Sequence, residues 1–252
     1  MQDFALPMPG EPAPQNASKR RQSLAVRLGK RLRDPVNGWL ARQSLIGDDV
    51  FIDPAVLPGL AELRWHGALI RDELAPLLER RAGIPPLGEI SPDHRRIATG
   101  SHWKSFFLMG YGYRSDENCV QCPQTAALLE RVPGLIVAFF SIMEPGTQVP
   151  LHRGLTKAWI NCHLGLVVPQ GPGGCAIEVA GTTTGWREGE WLAFDETYVH
   201  RVWNETSEPR VVLFLQVLRP MRLRGRLAAW VIQAGIRRTS FVQDVRRKLR
   251  AR

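Results

Sequence analysis

Between residues 103 and 218 the chain passes through six short apolar segments: "WKSFFLMGYGY", "LIVAFFSIM", "WINCHLGLVVP", "CAIEVA", "WLAFDE" and "RVVLFLQVL". Each is rich in Val, Ile, Leu or aromatic residues, which suit a pleated, half-buried surface. Turn signals such as "EPGT" and "PQGPGG" part them. Many short strands punctuated in this way predict a sandwich or jelly-roll barrel. The expected class is mainly β with flanking helices.

The flanks read differently. Residues 1–22 are rich in Pro, Ala and Gln and are expected to be a disordered tail. A basic, helical segment is expected over 23–95, opening with "SLAVRLGKRLRD" as a short amphipathic helix stopped by Pro35. Two further helices follow. Leu60 and Leu63 share a face of the first, and Ile70, Leu74, Leu77 and Leu78 fall at helical spacing on the second. "RAGIPPLGEISPDHRR" reads as a loop, and "CPQTAALLERVPG" as a short helix inside the β-rich region 96–220. Residues 221–252 return to basic amphipathic helix. Leu223, Leu227, Trp230, Val231 and Ala234 line one face, and Phe241, Val242, Val245 and Leu249 line another.

Charge sharpens that division. The formal net charge of +9 is carried by the ends, with residues 1–33 at +5, residues 221–252 at +9 and the stretch between them at −5. A basic end can meet an anionic lipid surface or nucleic acid. The arginines of the tail are not interleaved with aromatics in a base-stacking pattern, so only charge speaks for nucleic acid. No apolar run is long enough for a membrane span, and the N-terminus lacks the apolar core of a secretory signal. The expected location is cytoplasmic, with a peripheral station at the inner membrane surface. Four cysteines fit that compartment, and the CxxC of Cys119 and Cys122 has no second ligand pair nearby, so two incidental thiols in a loop are expected.

Past its first strand-like run the β-rich region holds three histidines: His152, His163 and His200. One histidine in a strand is more often structural than a ligand. Two that end adjacent strands of one barrel can face the same cavity, because side chains alternate between the faces of a strand. Imidazole is a good ligand for iron, and oxygen chemistry needs an open position on the metal.

The ordered run "HRG…HLGLVVP…WREGEWLAFDETYVHRVWNETSEPRVVLFLQVLRP" resembles the aspartyl/asparaginyl β-hydroxylase family of Fe(II)- and 2-oxoglutarate-dependent oxygenases, which includes a lipid A hydroxylase branch. The likeness runs from Trp103 to Pro220. It implies a double-stranded β-helix, jelly-roll or cupin-like, with iron, 2-oxoglutarate and O2 as its reactive set. His152 and His200 would be the metal ligands. Arg210 would hold the far carboxylate of 2-oxoglutarate bidentately, with Ser141 adding a hydrogen bond. His163 would contact the carboxylate beside the keto group. Trp186, Gly189, Phe194 and Asp195 match the turn and strand before the distal histidine, and Asp195 is expected to brace that turn. Gly154 stands where the usual facial triad has a carboxylate. The aspartyl hydroxylase branch shares that glycine, so the resemblance implies two protein ligands. Family members commonly carry an arginine where this chain has Asn161, which weakens the expectation of an acidic substrate.

The implied reaction couples oxidative decarboxylation of 2-oxoglutarate, giving succinate and CO2, to hydroxylation of an unactivated C–H bond. Its substrate would be a peptide or amino-acid side chain, or a lipid acyl chain. Trp103, Phe106, Phe139 and Trp159 could wall the pocket, although core packing is the commoner job for such residues. The alternative is a non-catalytic small-ligand or metal-binding module on the same barrel.

Overall fold

A computed structural model describes residues 24–90, 96–98, 102–170, 174–239, 242–243 and 247. Helix α1 (Leu24–Gln43) leads into strand β1 (Phe51–Ile52), followed by α2 (Leu60–Trp65), α3 (Gly67–Glu79) and α4 (Leu87–Ile90). Strands β2 (Trp103–Gly110) and β3 (Tyr113–Arg114) precede α5 (Asp116–Cys119) and α6 (Pro123–Glu130). Then come β4 (Leu135–Met143), β5 (Thr147–His152), β6 (Trp159–Val167), β7 (Cys175–Val179), β8 (Thr182–Thr184), β9 (Trp191–Phe194), β10 (His200–Asn204) and β11 (Arg210–Leu218). Helix α7 (Leu223–Arg237) follows. The expected tail at 1–22, part of the "SPDHRR" loop and most of the second tail helix lie outside the described residues.

The strands form two antiparallel sheets, ordered β1-β9-β6-β11-β4-β2-β3 and β5-β10-β7-β8. Successive strands from β4 to β7 alternate between the sheets, as do β9, β10 and β11, which makes the expected double-stranded β-helix. Burial explains the texture of the sequence. Nearly all of β4 and β6 is buried, because α2, α3 and α6 cover one face of the large sheet and the barrel interior covers the other. In β5 and β10 burial mostly alternates. Pro150 sits in β5, an edge strand that can spare a donor. The interior joins Met143, Phe194 and Val212 of the large sheet to Val149, Ile177, Val179 and Val202 of the small one.

Three expectations change. Helix α1 does not stop at Pro35 but runs on to Gln43. An interior proline costs about 3 kcal/mol, and the residues beyond it offset that cost. Leu40 is wholly buried, and the Asn37 amide donates to the Leu155 carbonyl while its oxygen accepts from Lys157 N–H. The loop expected after α3 contains α4. Cys119 and Cys122 lie in α5 and at the start of α6 rather than in a loop, and their thiols reach the carbonyls of Leu108 and Asn118. Burial pushes both thiols up, Cys122 to about 12. Thiolate, the reactive form, is therefore scarce at either position.

The helix expected in the tail forms as α7, but the face that packs is not the large apolar one. Gly225 and Ala229 are buried, with Ala228, Ile232 and Ile236 against the same cluster as Leu40 and Met221. Leu223, Leu227, Trp230 and Val231 are exposed.

Leu40→Ala is expected to cost about 2–5 kcal/mol in urea unfolding through the cavity it leaves. The same change at half-exposed Leu32, before the proline, should stay within about 0.5 kcal/mol.

Candidate active site

His152 ends β5 and His200 begins β10, and the two are direct partners across that strand pair. Their ring centroids lie 4.1 Å apart at 53°. The Nδ1 of His152 is 2.8 Å from the Pro150 carbonyl, and the Nδ1 of His200 is 2.8 Å from the Tyr198 carbonyl. A carbonyl can only accept, so each Nδ1 carries the proton and each Nε2 keeps its lone pair, the arrangement a metal-binding imidazole requires. Burial, then the neighbouring His200, hold the His152 imidazole down to about 4, and burial also lowers His200. Both rings are neutral near pH 7.

Arg210 opens β11 opposite Met143 of β4. It is only 2% exposed, and no carboxylate pairs with it among the described residues. Its guanidinium lies 4.5 Å from the Trp186 ring centroid, one Nη donates to the Met143 sulfur, and Nε and the other Nη have no partner. Burial pushes its pKa down to about 10. An uncompensated buried cation costs several kcal/mol, so Arg210 is held in the barrel interior at a cost to stability. Ser141, two residues before Met143, is also buried. Its hydroxyl oxygen accepts from the Trp103 indole at 3.0 Å, which leaves its own O–H to donate elsewhere.

His163 lies on β6, with Phe194 edge-on at 5.3 Å and Phe214 at 4.9 Å. The Trp186 indole N–H donates to its Nδ1 at 3.2 Å. That bond makes Nδ1 the acceptor and Nε2 the protonated nitrogen, and this buried Nε2–H has no partner. Burial, followed by the charge of Arg210 and the neighbouring His200, keeps the ring neutral. Phe194 also stands edge-on to His200 at 5.3 Å. His152, His200, Phe194, His163, Trp186 and Arg210 thus form one contiguous chain of contacts, with orphaned donors at its Arg210 end.

The glycine at 154 has a steric cause. A Cβ built there would lie 2.3 Å from Cδ and 2.4 Å from Oε1 of Glu196. The Glu196 carboxylate is fixed by the Trp159 indole at 2.9 Å and the Gln216 amide at 3.0 Å, and the Gly154 N–H donates to the Glu196 carbonyl at 2.6 Å. No aspartate or glutamate fits at 154 while Glu196 stays in place. Among the described residues, no group of three or more His, Cys, Asp or Glu side chains could hold a metal ion, so the protein offers two imidazoles. Asn161 also contributes a hydrogen bond to Glu196, and its own side-chain oxygen is an unpartnered acceptor. Burial raises the Glu196 carboxyl, with the bonds from Trp159 and Asn161 opposing it.

Asp195 is fully buried and accepts from Thr197 N–H at 2.9 Å and Thr197 Oγ1 at 2.6 Å, bracing the turn into β10. It also pairs with Lys157 at 2.9 Å and with Arg219. Trp103 bonds to Ser141 and Trp159 to Glu196, whereas Phe106 packs in the helix-side core with Phe140. Glu196 and Gln216 escaped the sequence reading, and Trp186 entered it only as a turn residue. The one available signal was a glutamate set among apolar residues in "WLAFDETYVH".

Fold and site together define a double-stranded β-helix that directs two imidazoles and a buried guanidinium into one interior. Residues 64–220 match the model of the family described as "Aspartyl/Asparaginyl beta-hydroxylase". An ornithine lipid ester-linked acyl 2-hydroxylase of Rhizobium tropici is 38% identical over 199 residues, covering 79% of this chain and 71% of that protein. The human aspartyl/asparaginyl beta-hydroxylase is 35% identical over 166 residues, covering 63% of this chain and only 20% of the human protein. A solved Pseudomonas putida prolyl-4-hydroxylase is 17% identical with a TM-score of 0.39, covering 61% of this chain and 87% of that one. The chain belongs to the aspartyl/asparaginyl beta-hydroxylase family, whose members among its relatives are named as hydroxylases.

The depressed His152 imidazole makes a signed prediction. An unfolded histidine gains its proton below about pH 6.5, whereas the folded ring resists until about 4. In that window the unfolded state binds more protons, so stability falls as pH falls. The urea midpoint of metal-free protein should drop across it, and less steeply in His152→Gln.

Proposed function

We propose that the chain is an Fe(II)- and 2-oxoglutarate-dependent dioxygenase that hydroxylates an unactivated C–H bond of a lipid acyl chain. The observation that carries this reading is Arg210, a buried cation without a carboxylate partner among the described residues, in the same interior as two metal-competent imidazoles. The donors fit the groups they would hold. His152 and His200 would bind the metal through Nε2. Arg210 would take the far carboxylate of 2-oxoglutarate, with the Ser141 O–H as a second donor, and the His163 Nε2–H would take the carboxylate next to the keto group.

Bound Fe(II) and 2-oxoglutarate supply the oxidising chemistry, consuming O2 and yielding succinate and CO2. The residues orient and desolvate. The Trp186 indole holds the tautomer of His163 and its ring supports the Arg210 cation, so both anchors are set before the diacid arrives. The carbonyls of Pro150 and Tyr198 keep the metal-facing nitrogens unprotonated. Phe194 and Phe214 crowd His163 and limit water beside it.

Three observations favour an acyl chain over an acidic side chain. Leu151, Leu155 and Val199, close in sequence to the two histidines, are exposed apolar side chains. Asn161 supplies no cation, and the buried Glu196 carboxyl beside it makes that wall a poor host for an acid. The Rhizobium relative, named for a lipid acyl chain, shares a larger part of both chains than the human one does. Gly154 is set by Glu196 and carries no information about substrate.

Anaerobic protein with Fe(II) and 2-oxoglutarate should develop the visible charge-transfer absorption of the chelate, and His152→Ala and His200→Ala should not. Absence of the band in wild type defeats the assignment. Arg210→Met should unfold in urea at or above the wild-type midpoint, since it deletes an unpaired buried charge. It should also need at least about tenfold more 2-oxoglutarate to reach half-maximal absorbance, the loss of a charge-assisted bidentate contact.

A further inference from the structure

Helix α7 carries two apolar faces. At 3.6 residues per turn, Gly225, Ala229, Ile232 and Ile236 fall on the side that packs, and Leu223, Leu227, Trp230 and Val231 on the opposite one. The second face is bare, with Leu223 at 78% exposure, Leu227 at 63%, Trp230 at 64% and Val231 at 56%. It does not end at the helix. Together with Val36 and Trp39 of α1, the residues Leu227, Val231 and Ile232 line an apolar cleft of about 700 Å³ with Arg224 at its rim. Half-exposed Leu32 lies one turn before Val36 on α1. Contiguous exposed apolar surface of this kind marks an interaction site rather than ordinary surface scatter.

Charge identifies the occupant. From Arg222 to Arg238 there are five arginines and no acidic residue, and residues 221–252 together hold ten Lys/Arg against one acid. A second copy of the chain would bring those arginines face to face, so the patch is poorly suited to self-association. Large apolar side chains flanked by arginines instead match the layering of an anionic bilayer, with acyl chains below and phosphates above. Arginine stems can lie along the apolar surface while their heads reach the phosphates.

The patch is also tied to the site mouth. α1 and α7 are joined where Leu45 N–H donates to the Pro220 carbonyl at 2.9 Å and Arg222 N–H to the Gln43 carbonyl at 2.9 Å. α1 in turn grips the segment that follows His152: Asn37 donates to the Leu155 carbonyl at 3.2 Å, and Arg153 pairs with Asp34 at 3.2 Å. On that segment and beside His152, Leu155 and Leu151 are exposed. We propose that the α1–α7 face, centred on Leu227, Trp230 and Val231 and flanked by Arg224 and Arg226, seats the protein on anionic phospholipid bilayers beside the mouth of the active site. The proposal deepens the acyl-chain reading above and rests on it for its purpose, by naming the surface from which the substrate is drawn.

The test is co-sedimentation of the full chain with sucrose-loaded vesicles of phosphatidylcholine alone or mixed with phosphatidylglycerol. Wild type should pellet with the mixed vesicles and stay in solution with the neutral ones. Leu227→Glu/Val231→Glu and Arg224→Glu/Arg226→Glu should each weaken partition by about tenfold or more, with melting temperatures unchanged because all four residues are exposed. Equal binding to neutral vesicles, no binding to anionic ones, or undiminished binding of Leu227→Glu/Val231→Glu would overturn the proposal. So would self-association in analytical ultracentrifugation that Leu227→Glu/Val231→Glu abolishes, since the face would then serve a second copy. Sedimentation requires neither iron nor 2-oxoglutarate. A protein that shows the chelate absorption but fails to pellet therefore sinks only the docking surface, and one that pellets without the absorption sinks only the dioxygenase reading.

Discussion

A guanidinium buried without a counter-charge is the constraint around which the barrel is arranged. Arg210 has the Trp186 ring, the Met143 sulfur and the Cys175 thiol as neighbours, none of them a carboxylate, and two of its nitrogens have no hydrogen-bond partner. Such a group is tolerable when the surrounding structure holds it rigidly. β11 supplies that rigidity as a central strand, paired with β4 on one side and β6 on the other. Stability is sacrificed locally to keep the guanidinium in that position.

The same strand geometry brings the rest of the site to Arg210. Antiparallel pairing sets His152 directly opposite His200, with a shift of register between His200 and Val202. β6 carries His163 between β9 and β11, under the indole of Trp186. Several of the site's polar groups are held by a second group: Pro150 and Tyr198 for the histidine pair, Trp103 for Ser141, Trp159 and Gln216 for Glu196. These supports decide tautomer and direction, which a list of site residues does not contain.

Much of the architecture was legible beforehand because burial leaves a pattern. Strands β4, β6 and β11 read as continuous apolar runs since both of their faces are covered. Errors arose where a local rule met a tertiary contact. Pro35 should end a helix, yet Leu40 and Asn37 hold the following turns in place. In α7 the side that packs is the one with Gly225 and Ala229, where small residues allow close approach, a choice that the apolar pattern alone left open. A Cβ at Gly225 would meet Cβ of Gln43 at 2.7 Å, which shows how tightly that side is packed.

The choice of His152, His200 and Arg210 as site residues came from the family resemblance, while strand content, barrel class and the basic character of both ends were written in the order of residues, since periodicity, turn chemistry and charge are local properties. Which nitrogen of each imidazole keeps its proton, why position 154 must lack a side chain, and which side of the last helix meets the body were not. Those outcomes depend on atoms brought within a few ångströms from distant parts of the chain: Glu196 against Gly154, Trp186 against His163, Gln43 against Gly225. Steric exclusion and hydrogen-bond direction act between such neighbours only after the chain has closed on itself.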